Sequence, residues 1–219
     1  MTASLDPTLR ITEIFHSLQG EARSVGLPTV FVRLTGCPLR CVWCDTEYAF
    51  SGGEILSLDQ ILTQIESFGC LRVCVTGGEP LAQPECLVLL NRLCEEGYEV
   101  SLETSGALPI ADVDKRVSRV MDLKAPDSGE SHRNLWDNIA ELTLHDQVKF
   151  VISSRRDYDW ACFKLDELRL SDRVGDVLFS PTHGILAPQE LAQWLLHDRV
   201  PGRFQLQLHK LLWNDAPGH

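Results

Sequence analysis

No run of the 219 residues approaches the roughly 20 consecutive apolar residues needed to cross a membrane. The opening "MTASLDPTLR" lacks the apolar core of a secretory leader. Positive charge is scarce: 20 Lys and Arg stand against 31 Asp and Glu, a net charge of −11. So acidic a chain offers no broad footprint for nucleic acid or an anionic membrane, although a few inward cations can still hold a small anionic substrate. There is no internal repeat and no low-complexity linker, so a single domain over residues 1–219 is expected. These absences point to a reducing, cytoplasmic setting. There the eight cysteines read as metal or catalytic groups before they read as disulfides.

What is present is an alternation of strand and helix. Strands are expected at Thr29–Leu34, Arg72–Thr76, Tyr98–Thr104, Arg119–Lys124, Gln147–Ile152, Asp176–Ser180 and Arg203–His209. Helices are expected at Ser57–Phe68, where Ser57 and Gln60 form a capping-box pattern, and at Pro84–Glu96, stopped by Gly97. Further helices are expected at Arg133–Leu142, Arg156–Leu170 and Ala187–His197. Strands separated by helix-length segments imply parallel pairing.

Within the strands one face is apolar: Val30, Val32 and Leu34, then Val73 and Val75, Val100 and Leu102, Met121 and Leu123, Val148 and Phe150. The other collects Arg33, Thr76, Glu103, Asp122, Lys149, Gln205 and Gln207. A buried parallel sheet is normally apolar on both faces. Either the polar face of an antiparallel sheet meets water, or a curved parallel sheet encloses a polar, ligand-filled cavity. The helices between strands favour the second, an α/β fold with six or seven strands: a partial (β/α)6 barrel.

"RLTGCPLRCVWCDTEYAF" follows the first of these strands, with Cys37, Cys41 and Cys44 in C-x3-C-x2-C spacing. Sites in parallel α/β folds are built at that end of the strand. Three thiolates from one loop, residues 36–46, suit a 4Fe-4S cluster with one iron open, whereas an electron carrier wants four cysteines. A structural zinc also wants four ligands, and His16 would have to be the fourth. Cys70 and Cys74 repeat the first spacing without a third thiol nearby, and with Cys86, Cys94 and Cys162 they read as small core residues.

The loop, with Trp43 before its third cysteine, resembles the signature of the radical S-adenosylmethionine superfamily. "TGGEP" (Thr76–Pro80) and "ETSG" (Glu103–Gly106) resemble its glycine-rich and ribose-binding motifs, and Gly77 and Gly78 would let backbone groups approach the methionine ammonium. The segment "EIFHSLQGEARSVGLPTVFVRLTGCPLRCVWCDT", with "MDLKAP", "VKFVI" and "QLQLHK" in matching order, is similar more closely to the 7-carboxy-7-deazaguanine synthases, from about Ile11 to Lys210.

That resemblance implies a radical S-adenosylmethionine lyase of queuosine precursor biosynthesis, carrying a 4Fe-4S cluster with S-adenosylmethionine on its open iron. An adenosyl radical removes the C6 hydrogen of 6-carboxy-5,6,7,8-tetrahydropterin. The ring contracts, hydrogen returns and ammonia leaves, giving 7-carboxy-7-deazaguanine and recovering S-adenosylmethionine, with Mg2+ assisting. It further implies a homodimer and a flavodoxin-like or ferredoxin-like reductant. Substrate contacts carry over to Leu18, Gln19, Gly20, Arg33 and Thr76, and His209 and Lys210 close the site. Cofactor contacts carry over to Trp43, Cys44, Asp45, Gly77, Gly78, Glu79, Glu103, Ser105, Asp122 and Lys124, and the magnesium ligand to Thr46. Arg33 suits a two-toothed grip on a carboxylate, and Gln19 can pair with a pterin edge. Some relatives carry Ser-Pro-Lys where Asp122-Leu123-Lys124 stands, and the short segment from Glu47 to Ser57 implies that a variable helix of the family is trimmed. A glycyl-radical activase, or a non-enzymatic iron–sulfur or zinc module, is the rival reading.

Overall fold

The computed structural model describes residues 6–214 together with Ala216 and Gly218. It begins with a strand that the sequence reading did not anticipate, paired with the one expected at Thr29–Leu34. β1 (Thr8–Leu18) and β2 (Pro28–Leu34) form an antiparallel hairpin. β3 (Glu54–Ser57) adds antiparallel to the other edge of β1, and α1 (Leu58–Ser67) follows at once. The Ser57–Gln60 capping box is formed in full. Between the cysteine loop and β3 there is only a 3-10 turn at Glu47–Ala49, so the trimmed connection is as read.

From β2 onward every pairing is parallel: β4 (Arg72–Gly77), β5 (Glu99–Thr104), β6 (Ser118–Asp122), β7 (Gln147–Ile152), β8 (Asp176–Pro181) and β9 (Arg203–Phe204). The nine strands make one open sheet, in the order β3-β1-β2-β4-β5-β6-β7-β8-β9, two or three strands more than expected. α2 (Cys86–Glu95), α3 (Arg155–Glu167), α4 (Leu170–Arg173) and α5 (Pro188–Asp198) fill the connections on the convex side.

The face assignment holds. Val30, Val32, Leu34, Val73, Val75, Leu102, Met121, Val148 and Phe150 are all buried in one core with Ile61, Ile65, Leu89, Leu93, Leu165 and Leu191 of the helices. The opposite face keeps Arg33, Thr76, Glu103, Asp122 and Lys149. Part of its floor is a separate apolar cluster of Ala22, Val120 and Leu178. All eight cysteines are free, and Cys74 and Cys86 are buried completely.

Two expected elements differ. The helix expected at Arg133–Leu142 is a pair of 3-10 turns, Ser131–Arg133 and Trp136–Glu141. Asn134 bonds both backbone groups of Lys124, and Asn138 bonds the backbone of Gly106, Leu108 and Ile110. Such side-chain to backbone bonds compete with helix formation. The strand expected to run to His209 stops at Phe204, and Leu208–Trp213 turns into a helix, α6. Period-two patterning over four or five residues could not separate these outcomes.

Candidate active site

The cysteine loop leaves the C-terminal end of β2 and packs directly on the loop after β4. Gly78 N donates to Leu34 O at 3.1 Å and Glu79 N to Gly36 O at 2.8 Å. A Cβ on Gly77 would lie 2.3 Å from Leu34 O, and one on Gly78 would lie 2.2 Å from Gly36 O and 2.7 Å from Cys37 Cβ. The glycines therefore serve first to let the two loops touch. Their backbone groups remain the ones expected to approach the methionine ammonium. Gly36 itself needs φ +99°, and its N–H donates to Ala49 O at 2.7 Å.

The rest of the loop is pinned as firmly. Arg40 donates to the carbonyl of Cys37 at 2.8 Å and stacks over Phe50, while Val42 N donates to Ser128 O at 3.0 Å. Cys37, Cys41 and Cys44 are half-buried, as is Trp43 between them. Burial pushes the Cys41 thiol up to about 11, and raises those of Cys37 and Cys44 as well. Thiolates here need a cation to hold them, which iron supplies by deprotonating its ligands. A lone zinc would gather its ligands on one tetrahedron about 2.3 Å from the metal. Among the described residues no three His, Cys, Asp or Glu side chains converge in that way. His16, the fourth ligand zinc would need, is exposed and packs against Phe68 at the end of α1. The donor set fits a cluster that spreads three thiolates over separate irons.

Lys124 lies by the cysteines, held 2.9 Å from Asp122 Oδ2. Its ammonium remains charged: burial lowers its pKa, but Asp122 more than reverses that. Lys149 lies 3.8 Å from the same oxygen, and Asp122 Oδ1 is buried with no hydrogen-bond partner among the described residues.

Glu79 is fully buried. Its carboxylate accepts from Leu81 N at 3.0 Å, Thr104 Oγ1 at 2.9 Å and Ser105 N at 2.7 Å, and from the Ser105 hydroxyl. The expectation for Glu79 and Ser105 was direct cofactor contact. Their side chains bind each other, so that "TGGEP" and "ETSG" form one rim.

The expected substrate residues converge on the concave face. Thr76 Oγ1 donates to Glu103 Oε2 at 3.1 Å and Gln19 Nε2 to Glu103 Oε1 at 3.4 Å. Arg33 Nε donates to Glu13 Oε1 at 2.7 Å, and its guanidinium lies between the rings of Phe15 and Tyr48, each 5.8 Å away. Tyr48 donates to the same Glu13 oxygen. Glu13 and Phe15 were not anticipated, because β1 itself was not, and Tyr48, on the 3-10 turn Glu47–Ala49, has no role without Glu13 as its acceptor.

The C-terminal helix lies across this face. Leu208 N donates to Gly20 O at 2.9 Å, and the His209 ring occupies the place where a Gly20 side chain would be. Lys210 Nζ reaches Asp45 Oδ2 at 3.1 Å. Burial raises the Asp45 pKa, but Lys210 and the Thr46 hydroxyl hold it well below the usual carboxylate range. Leu18 is the last residue of β1.

Residues 31–125 match the model of the radical S-adenosylmethionine superfamily. The 7-carboxy-7-deazaguanine synthase of Koribacter versatilis is 44% identical, over 94% of this chain and 97% of its own length. That of Chlorobaculum tepidum is 42% identical over 98% and 99%. The chain belongs to the 7-carboxy-7-deazaguanine synthase family. The fold agrees: QueE from Escherichia coli, 23% identical, superposes with a TM-score of 0.73 over 92% of this chain and 95% of that one. Membership of this radical S-adenosylmethionine family implies a 4Fe-4S cluster and S-adenosylmethionine. Among the described residues no helix is long and apolar enough to cross a membrane.

Proposed function

We propose that the chain converts 6-carboxy-5,6,7,8-tetrahydropterin to 7-carboxy-7-deazaguanine with loss of ammonia, the whole of residues 1–219 working as one domain. The observation that carries this is the concave face: Arg33, Thr76, Glu103 and Gln19 converge beside a loop of three half-buried thiols. When bound, the cluster and S-adenosylmethionine supply one electron and an adenosyl radical that takes a single hydrogen atom.

The chain's own residues bind and orient. Cys37, Cys41 and Cys44 hold the cluster. Trp43, Asp45, the backbone of Gly77 and Gly78, and Asp122 and Lys124 face the cofactor. Arg33 engages Glu13 through Nε, which leaves its Nη edge directed to the substrate carboxylate. Glu103, with Gln19 and Thr76, reads the donors of the pterin edge, and Leu18 and Gly20 shape the wall. Thr46 already donates its proton to Asp45 Oδ1, so its lone pairs are left for Mg2+, which takes hard oxygen ligands and shares substrate oxygens. His209 and Lys210 close the site against water. A flavodoxin-like or ferredoxin-like reductant and a homodimeric assembly complete the reading.

The test is an anaerobic assay with cluster-reconstituted, reduced protein, S-adenosylmethionine, Mg2+ and the carboxytetrahydropterin. The expected result is brown protein and the deazaguanine acid by mass spectrometry. An intact cluster that cleaves S-adenosylmethionine yet leaves the pterin unchanged would overturn the assignment. Radical transfer to an added glycyl-radical protein would replace it with the activase reading.

A further inference from the structure

Glu21 directly follows the Leu18-Gln19-Gly20 stretch and is buried. Four residues, from β7, the C-terminal segment and its own loop, meet on it. Lys149 of β7 donates to Oε2 at 2.8 Å, Gln205 donates to Oε2 at 3.1 Å, and Gln207 donates to Oε1 at 2.9 Å. Its own N–H donates to Gln19 Oε1 at 3.1 Å, which turns the Gln19 amide so that Nε2 faces Glu103. Gln205 returns a bond, accepting from Ala22 N at 2.6 Å. Burial disfavours the Glu21 carboxylate, but Lys149 and Gln207 hold its pKa below the ordinary value, so it stays charged.

Lys149 faces the cavity from the register position opposite Asp122. Among the described residues its ammonium makes one hydrogen bond, to Glu21. Gln207 also reaches toward Asp45 at 3.4 Å, so the segment leading into α6 touches Glu21 on one side and the cysteine loop on the other.

We infer that Glu21 is a positioning residue of this site, which couples the seating of the C-terminal segment over the pocket to the orientation of Gln19 and Lys149 within it. The inference rests on the pterin reading only for the identity of the ligand. Closure of residues 205–210 brings Gln205 and Gln207 onto the Glu21 carboxylate. The same carboxylate anchors the Lys149 ammonium and, through its backbone, the Gln19 amide. A ligand that needs Gln19 and Lys149 in place therefore meets a formed pocket only when the segment is seated.

Two measurements on Glu21→Gln test this, and that variant removes no group placed here on substrate or cofactor. Hydrogen exchange on the protein without substrate reads the seating: the Leu208 amide, bonded to Gly20 O, should exchange at least tenfold faster in the variant, with β8 amides unchanged. Steady-state assays read the pocket. KM for the pterin should rise about tenfold with KM for S-adenosylmethionine and kcat nearly unchanged. The double variant Glu21→Gln/Lys149→Met removes both charges, and keeps the test alive if the single variant is poorly folded. It should regain thermal stability while the Leu208 amide still exchanges at least tenfold faster than in wild type; because it also removes Lys149 from the pocket, only its exchange is read. Wild-type exchange at Leu208 in the variant, or an unchanged pterin KM, would overturn the inference. If wild-type protein fails to turn over the pterin, the exchange measurement still decides it.

Discussion

Lys210 Nζ lies 3.1 Å from Asp45 Oδ2, so the C-terminal helix is tied by charge to the loop that carries the three cysteines. Lys210 is nearly buried, while the Asp45 side chain is 44% exposed. The pair is therefore worth about 0.5–1 kcal/mol, as partly exposed pairs are. Lys210→Met is expected to raise the pterin KM by a factor of about two to five, without altering cluster content. Asp45 has a lowered pKa, so the pairing is complete above the usual carboxylate range and fades only as pH falls through the lower folded value. The KM ratio of variant to wild type should therefore be flat from about pH 6 to 8, where Asp45 does not titrate. A ratio that changes across that range would remove the pair from the closure.

Gly78→Ala tests the contact between the two loops. Its Cβ would meet backbone at 2.2 Å, and backbone cannot rotate away as a side chain can. Overpacking of this kind costs about 1–3 kcal/mol, and the movable partner is the cysteine loop. The expected outcome is a folded protein with a strongly reduced iron content after reconstitution. Full iron loading in the variant would show that the glycine serves the cofactor alone.

The polar and apolar faces of β2, β4, β5, β6 and β7 were legible because period-two alternation survives in them, whereas β8 carries the continuous apolar run Val177–Phe179. The cysteine loop was legible because three thiols in fixed spacing on one loop have few other uses. β1 was not. "TLRITEIFHSL" puts Glu13 and His16 within an otherwise apolar alternation, and its burial pattern is irregular beyond the register shift near Ile11. Losing β1 hid the Glu13–Arg33–Tyr48 contact. Glu79 was legible as a motif residue but not as a buried acceptor. Its partners Thr104 and Ser105 lie 25 and 26 residues away, on another strand end. The hub at Glu21 was invisible for the same reason: its partners sit 128 to 186 residues along the chain.

Arg33→Lys keeps the charge and removes the fork. Lysine offers a point charge on a flexible stem, and cannot bond Glu13 through one edge and a carboxylate through the other. A hydrogen bond to a charged group is worth about 1.5–3 kcal/mol, so the pterin KM should rise about 10- to 150-fold. Cleavage of S-adenosylmethionine without substrate should continue at the wild-type rate. An equal loss in that substrate-free cleavage would mean that Arg33 supports the cluster loop instead.

Stability depends on a different pair, far along β6 from the site. Arg119 shares the face of Met121 and Leu123, so a charge is placed in the apolar layer. Its Nε and Nη2 donate to Asp146 at 2.9 and 2.6 Å, with both side chains 1% exposed. Asp146 also accepts from Thr143 N at 2.8 Å, while Arg119 Nη1 has no partner among the described residues. Asp146→Asn strands a buried guanidinium, and should cost about 3–5 kcal/mol in urea unfolding at pH 7. Arg119→Met/Asp146→Leu removes both charges and should cost less than the single change. Burial raises the Asp146 pKa, but the Arg119 bonds bring it below its ordinary value. A depressed carboxylate stabilises above its unfolded pKa of about 3.9, and that contribution disappears as pH falls through the folded value. Wild-type stability from this pair is therefore constant from pH 5 to 8 and declines only below about pH 4. The Asn variant lacks that decline, so the two unfolding curves should converge in acid. Curves that stay parallel down to pH 3 would mean that the pair contributes through packing and not through charge.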